Sequence, residues 1–229
     1  MSLEELERPR PKIYLLEVRS IIEIINNEGR DKNKDFLKQR EKDLASMSEK
    51  KETLHHSQRM TNLGYLLAKK KNFSDEETKF FVEACLLHDI GKTEVARKHT
   101  ARFSDKFSPK DLEAIKKHPR AGYSYLKHEG RSPHVYNPVL LHHLFQEKPY
   151  PKIGIEFQGM DDDVDIDNAR LLAMIDVFDT LVFGRPYVKI FPLPLDRAEE
   201  KLKAQFNQPG DEEGINFLFS QYETIKGLS

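Results

Sequence analysis

The chain has 229 residues, of which 38% are hydrophobic and 33% are charged, and its formal net charge is -1. This length and composition suit one large domain, or one domain with a helical extension, that can bury a core, and they exclude an intrinsically disordered chain. The near-zero net charge provides no global basic field for binding a nucleic-acid polymer. The single cysteine, Cys85, excludes an internal disulfide, and its apolar neighbours in the sequence indicate a buried thiol.

The first residues of the chain are polar and lack the apolar core of a signal peptide. The apolar stretch over residues 13–25 is interrupted by Glu17, Arg19 and Glu23, which is not the pattern of a membrane span. We therefore expect no membrane segment and a cytoplasmic location.

Hydrophobic spacing predicts helices along the chain and no sustained strand, so the predicted fold class is all-α. The first amphipathic pattern covers residues 12–27, and the highly charged residues 31–51 are interpreted as an exposed helix or connector. A stronger helix is predicted over 52–71, followed by a capped helix that ends at Leu87. Further helices are predicted to begin at Ser108, at an N-cap His118, and over residues 139–145, 168–183, 195–206 and 211–226.

Several of these apolar segments are interrupted by residues that bind metals. His88 and Asp89 end the helix through Leu87, and adjacent helical residues point about 100° apart, so the pair cannot fill one apolar face. Asp176 lies inside the apolar run 171–178, where a carboxylate needs a partner. Imidazole and carboxylate together suit a divalent ion such as Mn, Fe or Zn.

These residues recur in five sequence motifs, which are His56-Ser57-Gln58-Arg59-Met60, His88-Asp89-Ile90-Gly91-Lys92, His118-Pro119-Arg120-Ala121-Gly122, His142-His143, and Asp176-Val177-Phe178-Asp179-Thr180-Leu181 with Arg185-Pro186-Tyr187. In order and spacing, the motifs resemble the HD-GYP branch of the HD superfamily of metal-dependent phosphohydrolases. The resemblance covers about residues 52 to 205. It implies a helical bundle that holds two or three divalent ions, with Fe or Mn expected, and it implies activity on a cyclic dinucleotide such as c-di-GMP.

The resemblance also assigns roles to individual residues. It implies that the ligands of one ion are His56, His88, Asp89 and Asp176. It implies that the second ion is bound by Asp89, which bridges the two, and by His118, His142 and His143. Glu52 falls where members with three ions place an additional carboxylate, and Asp179 is assigned a supporting role. Lys92 matches a lysine that positions a substrate phosphate, and Arg185 matches an arginine that contacts the nucleotide.

Two ions bridged by one carboxylate can supply a nucleophile at neutral pH and stabilise both the attacking and the leaving oxygen. Asp89 and Lys92 are accordingly the candidate catalytic residues, because Lys92 lies close enough in sequence to neutralise a phosphate oxygen. The plain alternative for Lys92 is a solvated side chain after a glycine.

The segment after the double histidine departs from the family pattern. Leu144 replaces a glutamate, Pro149 replaces the glycine of the Gly-Tyr-Pro motif, and the segment is one residue short, although Tyr150-Pro151 remain. We expect the loop over residues 146–167 to border the metal site and to carry specificity. Tyr150 offers a ring for stacking a purine, and the alternative is that it packs under the loop.

The predicted domains are an N-terminal helical extension (1–51), an HD-GYP-like phosphohydrolase domain (52–205) and a C-terminal helix packed on it (206–229). The predicted function is a phosphodiesterase acting on a cyclic dinucleotide or related nucleotide. One alternative is a weakly active or inactive signalling module that binds nucleotide or a partner protein, and another is a nucleotide monophosphatase. Homodimerisation or partner docking is assigned to the N-terminal helices.

Overall fold

The computed structural model describes residues 50–92, 113–151, 166–185 and 191–226, with side chains described from residue 55 onward. These ranges contain eight helices, and the all-α prediction is confirmed. The helices are α1 (Lys50–Lys70), α2 (Asp75–Leu87), α3 (His118–His128), α4 (Pro133–Leu141), α5 (Ile166–Phe183), α6 (Leu195–Gln205), α7 (Asp211–Ser220) and α8 (Tyr222–Ile225). The helix predicted over 12–27 and nearly all of the N-terminal extension lie outside the described residues. The helix predicted from Ser108 is described only from residue 113, and residues 113–115 are helical.

Helices α1 and α2 form an antiparallel pair whose connection is encoded locally. The Ser74 hydroxyl accepts a hydrogen bond from the Glu77 amide at 3.2 Å, and the Glu77 carboxylate accepts one from the Ser74 amide at 2.8 Å. This reciprocal capping box fixes the start of α2, as predicted. A side chain at Gly64 would collide with the Cys85 thiol, so glycine permits the close approach of the two helices.

Helix α5 is the central element of the fold. It packs against α1, α2, α4, α6 and α7, and it buries residues around its whole circumference, including Leu172, Met174, Ile175 and Phe178. Beyond its exposed first turn, α5 is largely apolar because other helices cover most of its circumference. Asp176 is therefore carried into the middle of the core.

Two predicted helix boundaries are wrong. Helix α3 has Lys117 as its N-cap, one residue before His118, because the Ala121 amide already bonds to the Lys117 carbonyl at 3.0 Å. Helix α4 covers Pro133–Leu141 instead of 139–145. The Ser132 hydroxyl accepts a hydrogen bond from the His134 amide and Pro133 stands in the first turn, which together start the helix. His142 and His143 consequently follow the helix end.

The C-terminal helices α7 and α8 contribute Ile215, Leu218 and Ile225 to the same core as α1 and α5. The division of the chain at residue 206 stays a prediction. Across the described helices, none is long and apolar enough to cross a lipid bilayer.

Candidate metal centre

Two groups of buried side chains lie close together in the interior of the helical domain. The first group consists of His56, His88 and Asp176, and the second group consists of His118, His142 and His143. Within each group the potential donor atoms lie within 4.8 Å of one another. Every one of these six side chains was predicted as a metal ligand, and the structure brings them together.

The first group joins three helices. His56 lies on α1, His88 is the residue after α2, and Asp176 lies midway along α5. The second group joins two helix ends, because His118 begins α3 and His142 follows α4 directly. Helix ends leave backbone groups free for bonding.

Three of the histidines are held by an identical local contact. The Nδ1 atoms of His88, His118 and His142 lie 2.7–2.8 Å from the carbonyl oxygen three residues earlier, which belongs to Cys85, Ile115 and Val139 respectively. A carbonyl oxygen can only accept, so each Nδ1 carries the proton. Each Nε2 then presents a lone pair, as in metal-ligating histidines.

These Nε2 atoms converge. The Nε2 atoms of His56 and His88 are 3.0 Å apart, and those of His118 and His142 are 3.3 Å apart. Two nitrogens that each bind one ion at about 2.1 Å and at right angles are separated by about 3.0 Å. The spacing of the donors therefore fits a divalent ion in each group.

His56 is oriented by a carboxylate instead of a carbonyl. Its Nδ1 donates to Asp179 Oδ2 at 2.8 Å, and Arg59 donates to both oxygens of Asp179 at 2.5 and 3.1 Å. Burial opposes ionisation of Asp179, but His56 and Arg59 outweigh it and hold the pKa of this carboxyl well below its usual range. Sequence analysis missed Arg59, although a charged residue one turn after His56 on a core-facing helix is a recognisable signal.

Asp89 lies between the two groups. Its Oδ1 is 3.2 Å from His118 Nε2, while its Oδ2 is 3.5 Å from His88 Nε2 and 3.9 Å from His56 Nε2. Each oxygen thus faces a different group, which is the arrangement that a bridging carboxylate requires. Lys92 Nζ is 2.5 Å from the same Oδ2. Despite burial, Lys92 and His88 hold the pKa of Asp89 well below its usual range.

The backbone beside Asp89 has no room for a side chain. A Cβ at Gly91 would collide with the His118 carbonyl oxygen and with the Gly122 amide nitrogen. Glycine at this position therefore allows the end of α2 to contact the start of α3 and brings Asp89 within reach of His118.

Most of the imidazoles are neutral near pH 7. Burial, reinforced by neighbouring cations, lowers the pKa of His56 to about 4 and the pKa of His142 to about 3. Burial also lowers the pKa of His118 and His143. His88 differs, since Asp89 and Asp176 raise its pKa against the effect of burial. Neutral imidazole is the form that binds a metal.

Arg185 contacts the first group directly. Its Nη2 lies 2.7 Å from Asp176 Oδ1 and 3.0 Å from His56 Nε2, while its Nε donates to the Thr180 hydroxyl at 3.2 Å. The resemblance to the HD-GYP branch implied instead that Arg185 contacts the nucleotide. A cation bound by both His56 and Asp176 would repel the guanidinium at this distance, so occupancy of the first group requires Arg185 to turn away.

The segment after His143 folds back onto the second group. The Tyr150 ring stacks on the His143 ring with centroids 4.4 Å apart and planes 27° apart, and the Gln146 amide nitrogen lies 2.6 Å from His143 Nδ1. Residues 146–151 thus border the site, while residues 152–165 of the predicted loop lie outside the described residues. Gln146 was missed by sequence analysis. Glu52 belongs to α1, but its side chain is outside the description.

Comparison with known proteins places this site in a family. The HD domain model matches residues 53–181, which is more than half of the chain. The chain therefore belongs to the HD domain family, whose members are metal-dependent phosphohydrolases. It is similar to the cyclic di-GMP phosphodiesterase response regulator RpfG of Xanthomonas campestris pv. campestris (strain 8004), with 28% identity over 174 residues. That alignment covers 74% of this chain and 44% of the relative, so the chain spans less than half of that protein's length.

Proposed function

We propose that the chain is an HD-GYP-type phosphodiesterase that hydrolyses a cyclic dinucleotide of the c-di-GMP class at a centre of at least two divalent ions. The observation that carries the proposal is the position of Asp89, whose two oxygens face the two donor groups at 3.2 Å (His118) and 3.5 Å (His88). A site that only binds one ion has no need of a carboxylate shared between two groups.

Each side chain has a role in the proposed reaction. The first group, the second group and Asp89 would hold two ions, which supply an activated water and charge neutralisation at a phosphodiester when bound. Lys92, which now neutralises Asp89 Oδ2, would contact a non-bridging phosphate oxygen of the substrate. Arg185, which donates to Asp176 Oδ1 at 2.7 Å, would turn away from Asp176 if the first group held an ion, and its guanidinium would then pair with the second phosphate of the dinucleotide.

The HD-GYP assignment is supported by the order of the five motifs and by the similarity to RpfG, a protein named for c-di-GMP hydrolysis. Tyr150 remains the candidate for stacking a base. One of its faces lies against His143, so a purine would stack on the opposite face. Fe and Mn are the proposed ions because mixed imidazole and carboxylate donors suit both.

The test uses the full chain purified without added metal. Its metal content is measured, and it is then incubated with Mn²⁺ or Fe²⁺ and one of three substrates: c-di-GMP, an aryl phosphodiester or an aryl phosphomonoester. We expect hydrolysis of c-di-GMP that Asp89→Asn abolishes and that Asp75→Asn, at an exposed position on α2, leaves intact.

Two outcomes would contradict the proposal. Cleavage of the monoester alone would identify a monophosphatase. Binding of c-di-GMP without turnover, with two ions present per chain, would identify a signalling module instead of an enzyme.

A further inference from the structure

His143 is held differently from the other four histidines of the centre. Those four donate from Nδ1 to a group that can only accept, either a backbone carbonyl or the carboxylate of Asp179. The Nδ1 of His143 instead lies 2.6 Å from the side-chain amide nitrogen of Gln146. An amide nitrogen is a donor, so the direction of this hydrogen bond is reversed relative to the others.

The reversed bond affects both nitrogens of the ring. When the Gln146 amide donates to Nδ1, the lone pair of Nδ1 is occupied, and the proton of the neutral imidazole must be on Nε2. Neither nitrogen then has a lone pair for a metal. A half-turn of the amide would present its oxygen instead, so that Nδ1 donates and Nε2 can bind.

The rest of the segment holds His143 in contact with this amide. The Tyr150 ring stacks on the imidazole at 4.4 Å, and the Tyr150 amide bonds to the His143 carbonyl at 3.4 Å. The His143 side chain is also buried, with 7% of its surface exposed. The ring therefore cannot easily rotate to escape Gln146, and the amide is the group that must change orientation.

We propose that Gln146 is a positioning residue that selects the tautomer of His143 and thereby sets the affinity of the second group for its ion. This inference rests on the proposed function, because it requires an ion at His118, His142 and His143. It also gives a local role to the segment in which the sequence departs from the HD-GYP pattern. A Gln146 amide that donates to Nδ1 lowers the affinity of the second group for its ion relative to a partner that can only accept.

The experiment compares Gln146→Glu, whose carboxylate can only accept, with Gln146→Leu, which has no polar group. Gln205→Leu is the matched control, because Gln205 donates to the Phe145 carbonyl at 3.1 Å in the same segment and contacts no histidine in that bond. The dissociation constants of both ions are measured by Mn²⁺ titration calorimetry on the full chain.

We expect Gln146→Glu to bind the second ion about tenfold more tightly than the parent chain and Gln146→Leu to bind it about tenfold more weakly, as is typical when the partner of a ligating histidine changes. The dissociation constant of the first ion should be unchanged in both Gln146 variants, and Gln205→Leu should bind both ions as the parent chain does. A shift of both Gln146 variants in the same direction would overturn the inference, and so would an equal weakening in Gln205→Leu.

A second readout reports the tautomer itself. Long-range ¹H–¹⁵N NMR spectra of the metal-free protein should show the His143 proton on Nε2 in the parent chain and on Nδ1 in Gln146→Glu. The same tautomer in both would contradict the inference even if the affinities differ. Failure of the parent chain to bind two ions would overturn the proposed function and this inference together, whereas two ions with identical affinities in all variants would overturn the inference alone.

Discussion

In each histidine of this centre, the hydrogen bond made by Nδ1 determines whether Nε2 has a lone pair for a metal. His88, His118 and His142 use the carbonyl three residues earlier, which is a contact that any helix end can supply. His56 lies inside a helix, where the backbone carbonyls are already bonded, so it depends on Asp179 from a distant segment. The chemistry of His56 is therefore coupled to α5, while the chemistry of the other three is local.

Asp89 and Asp179 should consequently differ when each is replaced by asparagine. Asp89→Asn should lower the affinity of both ions, because Asp89 faces both groups. Asp179→Asn should weaken only the first group's ion, by about 10- to 100-fold, because its role is to orient His56. Bound metal per chain, measured after dialysis at several Mn²⁺ concentrations, checks this. Equal losses from the two variants would show that Asp179 also acts as a ligand.

Among the elements, the helix ends carry the site. His88 follows α2, His118 begins α3 and His142 follows α4. The segments before His88 and His142 are apolar, whereas Lys116 and Lys117 precede His118. The sequence predicted the end of α2 well because the apolar run stops at a histidine and a glycine follows. It misplaced α4 because the helix was predicted to begin at Val139, whereas Ser132 and Pro133 start it six residues earlier.

The contact between the end of α2 and the start of α3 predicts a strong effect of Gly91→Ala. The added methyl group would meet backbone atoms of His118 and Gly122, which cannot rotate away as a side chain does. We expect a loss of about 1–3 kcal/mol in the free energy of unfolding. We also expect weaker binding of the ion in the second group, because His118 would move away from Asp89. Urea unfolding and Mn²⁺ titration measure the two effects.

Gly214→Ala is the matched control. Its methyl group would meet only the flexible side chain of Met174. If both alanine variants lost equal stability and equal affinity, close backbone packing at Gly91 would not be what holds the two helices together.

At the scale of the whole molecule, the sequence predicted the all-α class, and it predicted as metal ligands all six side chains of the two donor groups. His88, His142 and Asp176 could be found because each one interrupts or ends an apolar run within one segment, and the resemblance of the five motifs added His56, His118 and His143. The contacts of Arg59 with Asp179 and of Arg185 with His56 could not be predicted in this way, because they join distant segments and helical periodicity carries no information about which segments meet. Gln146 lies only three residues after His143, but the sequence placed the end of a helix at residue 145, where the structure has a turn.

The whole molecule should also lose stability on mild acidification when it is free of metal. In the folded chain the pKa values of His56 and His142 are about 4 and about 3, and those of His118 and His143 are also lowered, against an ordinary value of 6.5. As pH falls below 6.5, the unfolded chain takes up protons that the folded chain excludes, so the free energy of unfolding decreases. His88, whose pKa is raised, opposes this change.

Between pH 7 and pH 5.5, we expect a decrease of roughly 1 kcal/mol in the free energy of unfolding for each of His56 and His142, a further decrease from His118 and His143, and a partial offset from His88. The measurement is urea unfolding of EDTA-treated protein at both pH values. His142→Gln should reduce the pH dependence, because the variant lacks one imidazole that takes up a proton only in the unfolded chain.

Mn²⁺ should raise stability at both pH values, by an amount that grows with its concentration, since the ions bind only the folded chain. Stability that is equal or greater at pH 5.5 would mean that the buried imidazoles already accept protons in the folded chain, and the neutral, metal-ready centre described above would be wrong.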